Sequence, residues 1–196
     1  MRSLVIDPGH GGRDPGAVRP GVAWSEAQIN MAVAGRLVDA LRDAMYPPCR
    51  MALTRAGDAD VGLHERAWLA NTQGGVGLFL SIHCNAAENP TAHGAEAWIS
   101  RGCYEVTRVA AQTILTRFLA RTGFRDRGVR VAPGPQRRSR IHVLSATHMP
   151  AVLLELGFLS NDEQARLLTS PAWQMLAARA IAAGVHEFFD ERDGAV

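Results

Sequence analysis

The chain contains no lysine; all 21 of its basic residues are arginine. A GC-rich genome accounts for such a bias, and it carries no functional weight. Net charge is small, at +2, so nothing draws the chain to nucleic acid and no such partner is expected. Cysteine is scarce. Cys49, Cys84 and Cys103 are widely spaced and form no CxxC pair, which excludes a disulfide framework and a zinc–thiolate knuckle. They are expected as reduced thiols in a protein folded in a reducing compartment. No apolar run approaches the roughly 20 residues needed to cross a bilayer, so membrane insertion is not expected. The N-terminus shows no basic leader or apolar h-region. The expectation is synthesis in the cytoplasm without a signal peptide, or a signal already removed. Internal repeats and low-complexity tracts are also missing.

What is present suits a folded domain: 47% hydrophobic and 20% charged residues, in a length that fits one domain over 1–196 with a core of its own. The chain is organised around Leu4-Val5-Ile6-Asp7-Pro8-Gly9-His10-Gly11-Gly12-Arg13-Asp14-Pro15-Gly16-Ala17. An apolar strand breaks into a loop too rich in glycine and proline to continue as strand or helix. His10 sits at the break, where a rigid strand end meets glycines that admit a close neighbour. It is a candidate metal ligand or base, with a purely structural strand cap as the competing reading.

Further along, Ser25 and Gln28 have capping-box spacing and open a helix carrying Ile29, Val33, Leu37 and Leu41. Glu26 falls in its first turn, beside the preceding loop; a surface charge favoured by the helix dipole is the plain alternative. Pro47 and Pro48 end the unit. A strand is expected over 51–55 and a helix over 63–71. The apolar run Val76-Gly77-Leu78-Phe79-Leu80-Ser81-Ile82-His83 reads as a strand buried on both faces, as in a parallel sheet. It too delivers a histidine at its carboxyl end, where ligands of open α/β sheets gather. Cys84 should point the other way, into the core. A strand over 95–99 and a helix over 104–121 follow, the helix stripe including Val109. Residues 124–140 read as a mobile loop, whose Arg137-Arg138-Ser139-Arg140 cluster is a solvated stretch before it is a site for an anionic polymer. Val152-Leu153-Leu154-Glu155-Leu156-Gly157-Phe158 is another buried strand. A carboxylate inside it costs several kcal/mol unless paired or metal-linked, so Glu155 is either functional or in a buried pair with an arginine. Asn161 is expected to cap one short helix, and Ser170-Pro171 to begin the last. Strands alternating with helices predict an α/β fold: a mostly parallel central sheet with helices on both faces.

Two imidazoles and a carboxylate from separate places, His10, Glu26 and His83, make a common ligand set for catalytic zinc. Three protein ligands leave a fourth position for water. Glu155, not itself a ligand, is placed to handle the proton.

The chain resembles the zinc-dependent N-acetylmuramoyl-L-alanine amidases of the amidase-3 class. The motifs span nearly its whole length: Ile6-Asp7-Pro8-Gly9-His10-Gly11-Gly12 with Asp14-Pro15-Gly16-Ala17, Glu26 with Asn30, Leu53-Thr54-Arg55, Arg66 with Ala70-Asn71, Ser81-Ile82-His83-Cys84-Asn85-Ala86, and Pro150-Ala151-Val152-Leu153-Leu154-Glu155-Leu156-Gly157-Phe158-Leu159-Ser160-Asn161. The resemblance implies one Zn2+ on His10, Glu26 and His83, and Glu155 as the catalytic glutamate. It implies cleavage of the amide joining the lactyl group of N-acetylmuramic acid to L-Ala of the stem peptide, with peptidoglycan as partner, action at the cell wall and a monomeric enzyme. Arg66 and Asn71 look like supporting residues; Glu96 and His64 look structural or solvent-facing. The stretch between Trp98 and His142 is too short for an inhibitory inserted helix, so an enzyme that is not self-inhibited is expected. The missing leader looks like a phage or prophage endolysin, with a bacterial autolysin as runner-up. Against these stand a zinc hydrolase acting on another amide and a catalytically silent wall-binding module.

Overall fold

The computed structural model describes residues 2–43, 49–133 and 141–194. Pro47 and Pro48, and the cluster at residues 137–140, lie outside them. Six strands form one sheet in the order β2-β1-β3-β6-β4-β5. They are β1 (Ser3–Pro8), β2 (Arg50–Leu53), β3 (Leu78–Asn85), β4 (Ala95–Ile99), β5 (Asp126–Val131) and β6 (Ala151–Phe158). The helices are α1 (Glu26–Asp43), α2 (Leu63–Thr72), α3 (Glu105–Thr122), α4 (His142–Ala146), α5 (Asp162–Leu168) and α6 (Pro171–Gly194). Strands β2, β1, β3 and β6 are parallel, β4 meets β6 antiparallel, and β4 and β5 are parallel. The expected mostly parallel α/β fold is what forms.

Strand alternation divides the core. Leu4, Ile6, Leu80, Ile82, Val152 and Leu154 bury their side chains in a large cluster with α1, α3 and α6. Val5, Phe79 and Leu153 point the other way, into a smaller cluster with Val143 and Leu144 of α4 and Ala70 of α2. The helices on this second side are short, so the sheet face is left open near the carboxyl ends of β3 and β6. Further along the same two alternations, His83 and Glu155 emerge there as register partners across β3 and β6.

Local signals account for the helix ends. Ser25 and Gln28 close a capping box: the Ser25 amide donates to Gln28 Oε1 at 2.8 Å and the Gln28 amide to Ser25 Oγ at 3.4 Å. Asn161 Oδ1 accepts from the Glu163 and Gln164 amides at the start of α5. Gly123, at φ 67°, ends α3 in the left-handed conformation. Two expectations are corrected. Val109 is 40% exposed, while Ala110, Ile114 and Phe118 fill the core side of α3. The segment expected as a mobile loop over 124–140 contains strand β5, paired along β4. Its sequence, Asp126-Arg127-Gly128-Val129-Arg130-Val131, is an edge strand, whose mixed polarity hides it from a search for apolar runs.

Candidate active site

The loop after β1 is held by two arginines. Arg66 donates from Nη1 to Pro8 O and Asp7 Oδ1, and from Nη2 to His10 O at 2.7 Å. Arg55 donates to the Pro8, Gly9 and Ala27 carbonyls. Asp7, buried, also takes Ser81 Oγ at 2.7 Å. This clamp holds His10 at φ 60°, and His10 is the only non-glycine residue with positive φ among the described residues. Such a backbone costs on the order of 1–3 kcal/mol and persists only where its surroundings enforce it.

Glu26, expected either at the loop or on the surface, is 4% exposed. Its Oε1 lies 3.2 Å from His10 Nε2, 2.9 Å from His83 Nδ1 and 3.0 Å from the Cys84 amide, which donates to it. Its Oε2 accepts from the Ala17 amide at 2.8 Å. The His10 and His83 rings meet edge to face with centroids 4.9 Å apart. One ligand atom from each of His10, Glu26 and His83 can be chosen so that all lie within 4.8 Å of one another. Backbone without side chains makes the room: a Cβ on Gly9 would fall 2.2 Å from His83 Nε2, and one on Gly16 2.6 Å from His10 Cδ2. Cys84 is buried on the core side, as expected.

Charge follows from this packing. Burial works against a charged Glu26, but hydrogen bonds from both imidazoles outweigh it and hold the carboxyl well below its usual range. Burial also opposes a charged His10; the Glu26 and Asp14 carboxylates overcome it and lift the imidazole to about 9. His83 is raised as well, burial opposing and Glu26 prevailing. Two imidazoles drawn to one carboxylate, in the absence of a metal, are the donor set a divalent ion of mixed N/O preference takes up. Asp14, named in the opening motif with no role, accepts from His10 Nδ1 at 2.8 Å. It thereby turns Nε2 toward the cluster, as carboxylates behind metal-binding histidines do. Its spacing of four from His10 was the available signal.

Among the described residues no arginine is paired with Glu155. Its Oε2 is buried with no hydrogen-bond partner among the described residues. Burial raises its carboxyl to about 7; His83 pulls it down, and Glu26 and Glu96 push it up. It faces a cleft of about 430 Å3, lined on one side by His10, His83 and Glu155 and on the other by Leu63, Ile141 and His142. Other residues fall out as supports. Asn71 ties α2 to the end of α4 through Ala146 O and the His148 amide. His64 is exposed and packs on His142 with ring centroids 4.1 Å apart; α4, and so His142, was not expected. Glu96 is buried and ion-paired, not solvent-facing.

A family model described as Amidase_3, N-acetylmuramoyl-L-alanine amidase, matches residues 4–187. Protein YqiI of Bacillus subtilis (strain 168) is 34% identical over 191 residues, covering 97% of this chain and 86% of that protein. N-acetylmuramoyl-L-alanine amidase CwlM of Bacillus licheniformis is 35% identical over 190 residues, covering 97% and 70%. The crystal structure of N-acetylmuramoyl-L-alanine amidase from Clostridium difficile 630 superposes with a TM-score of 0.89 at 29% identity, over 97% of this chain and 98% of that one. The match runs through every strand of the sheet and through the loop, helix start and strand ends that build the cluster, and the chain belongs to the Amidase_3 family of N-acetylmuramoyl-L-alanine amidases.

Proposed function

We propose that this amidase hydrolyses the amide between the lactyl group of N-acetylmuramic acid and L-Ala of the stem peptide, using one zinc ion held by His10, Glu26 and His83, with Glu155 as the proton-transferring residue. The observation that carries the assignment is the buried Oε2 of Glu155, without a hydrogen-bond partner among the described residues and set in register beside His83 in the lining of the cleft. Zinc in such a donor set supplies Lewis acidity and a nucleophile at neutral pH. The chain's own residues do the rest. Asp14 orients His10. Glu26 is fixed by the Ala17 and Cys84 amides, so the ligand cluster is organised before substrate arrives. Glu155, with its pKa near 7, is poised both to accept a proton from water and to return it to the departing L-Ala nitrogen.

The substrate puts the enzyme's action at the cell wall. The test is digestion of purified sacculi by the protein alone, with and without chelator, followed by mass analysis. Intact stem peptides bearing a free L-Ala amine are expected, with none in chelator. Fragments cut at another amide would replace this substrate by a different one, and no release without an added activator would remove the expectation that the enzyme is not self-inhibited.

A further inference from the structure

Beside the hydrolytic residues lies a second charged group that they do not use. Glu96 of β4 is the register partner of Glu155 on the neighbouring strand β6. Its Oε1 accepts from Asn85 Nδ2 at 3.1 Å and Trp98 Nε1 at 3.0 Å. Its Oε2 faces two arginines of β5, Arg127 Nε at 2.7 Å and Arg130 Nε at 2.8 Å. One carboxylate therefore serves two guanidinium groups, and one positive charge is left over. Arg127 donates from Nε to this oxygen and Arg130 Nε is ion-paired with it, while among the described residues no acceptor faces Nη1 or Nη2 of either. Each plane is also backed by a ring: Arg127 over Phe158 at 4.8 Å and Arg130 over Trp98 at 5.9 Å. Their side chains are 27% and 43% exposed. Two planar forks, fixed from behind with their outer nitrogens open to solvent, are built to receive a carboxylate.

Position supplies the rest. From β6 to β4 is one strand spacing, about 4.8 Å, and the arginines come from the strand beyond. In an extended peptide the α-carboxylate of the residue after L-Ala lies roughly 5–7 Å from the scissile nitrogen. Arg66, which lines the cleft, directs its guanidinium at Val61 O, Pro8 O, His10 O and Asp7 and presents no comparable open fork.

We propose that Arg127 and Arg130 form a carboxylate subsite that selects stem peptides in which L-Ala is followed by an acidic residue with a free α-carboxylate, over those amidated at that carboxylate. The subsite rests on the amidase reading, which puts L-Ala beside Glu155. It makes Arg130 a specificity residue, apart from the hydrolytic step.

Two product-like probes test it by calorimetric titration: L-Ala-D-Glu γ-methylamide with a free α-carboxylate, and the same compound with an α-carboxamide. The wild-type protein is expected to bind the acid about tenfold more tightly than the amide, as one charge-assisted contact provides. Arg130→Gln should reduce that ratio to below about threefold while the melting temperature stays within about 3 °C, since the side chain is half-exposed. Arg130→Lys should fall between, keeping charge without the fork. Equal binding of the two probes by wild-type protein overturns the subsite with no variant needed, as does an equal loss for both probes in Arg130→Gln. Digestion of sacculi separates the two levels. Cleavage at L-Ala with equal probe binding sinks the subsite alone. Arg130-dependent acid preference without such cleavage sustains the carboxylate site and sinks the amidase reading.

Discussion

Glu155→Gln keeps the shape of the side chain and removes its charge and its proton-transfer capacity. In the metal-free protein Glu155 ionises at about 7 in place of the ordinary 4.5, because it is buried. That difference is worth on the order of 3 kcal/mol. The unfolded chain loses the proton near 4.5, so between 4.5 and 7 the folded state holds a proton that the unfolded state has lost. The stabilisation tied to the neutral carboxyl is therefore complete below about pH 4.5, is lost as pH rises, and is gone above about 7. Glutamine does not titrate. Metal-free Glu155→Gln should thus exceed the wild-type stability at pH 8 by up to about 3 kcal/mol, with the gap shrinking to below about 1 kcal/mol at pH 5. Urea unfolding at the two pH values measures it. Turnover on purified sacculi should fall by about 100- to 10,000-fold, the usual contribution of a positioned acid–base group, while zinc is still bound. A gain in stability with a loss of rate is the pattern of a group kept for chemistry at the expense of packing. Turnover within a few-fold of wild type, or a stability gap identical at pH 5 and pH 8, would refute the reasoning.

Three further outcomes are expected. Gly9→Ala puts a Cβ 2.2 Å from His83 Nε2 and must displace the ring; zinc affinity measured against a chromophoric chelator should drop by more than about 100-fold with the circular dichroism spectrum unchanged. Asp14→Asn exchanges the acceptor on His10 Nδ1 and should weaken zinc binding by about 10–100-fold, milder than Gly9→Ala. Zinc must displace the proton that His10 holds up to about pH 9, so the apparent affinity should rise by about tenfold or more for each pH unit between 6 and 8; an affinity independent of pH would mean that His10 does not ligate.

Much of this protein was legible because its signals are local. The run from Leu4 to Ile6 breaking at Pro8-Gly9 ends β1 in the sequence as in the structure. Ser25 with Gln28, and Asn161 with Gln164, announce helix starts because a cap is made within three residues. A carboxylate amid Val152, Leu153, Leu154 and Leu156 marks Glu155 as costly wherever the strand lies. Strand β5 escaped because an edge strand with charged residues on it has no apolar period of its own; pairing with β4 and the pull of Glu96 on Arg127 and Arg130 hold it in place.

By itself the sequence determined which segments are the apolar strands of the sheet, though not the edge strand β5, and which residues stand at their carboxyl ends, since both follow from periodicity over a few positions. Tertiary structure alone decided what those residues meet. Register put Glu155 beside His83 and left its Oε2 without a hydrogen-bond partner among the described residues, and the packing of α1 carried Glu26 from a helix start to the point between two imidazoles. Register and helix docking are settled by contacts between residues tens of positions apart, which a pattern read over a few positions does not contain.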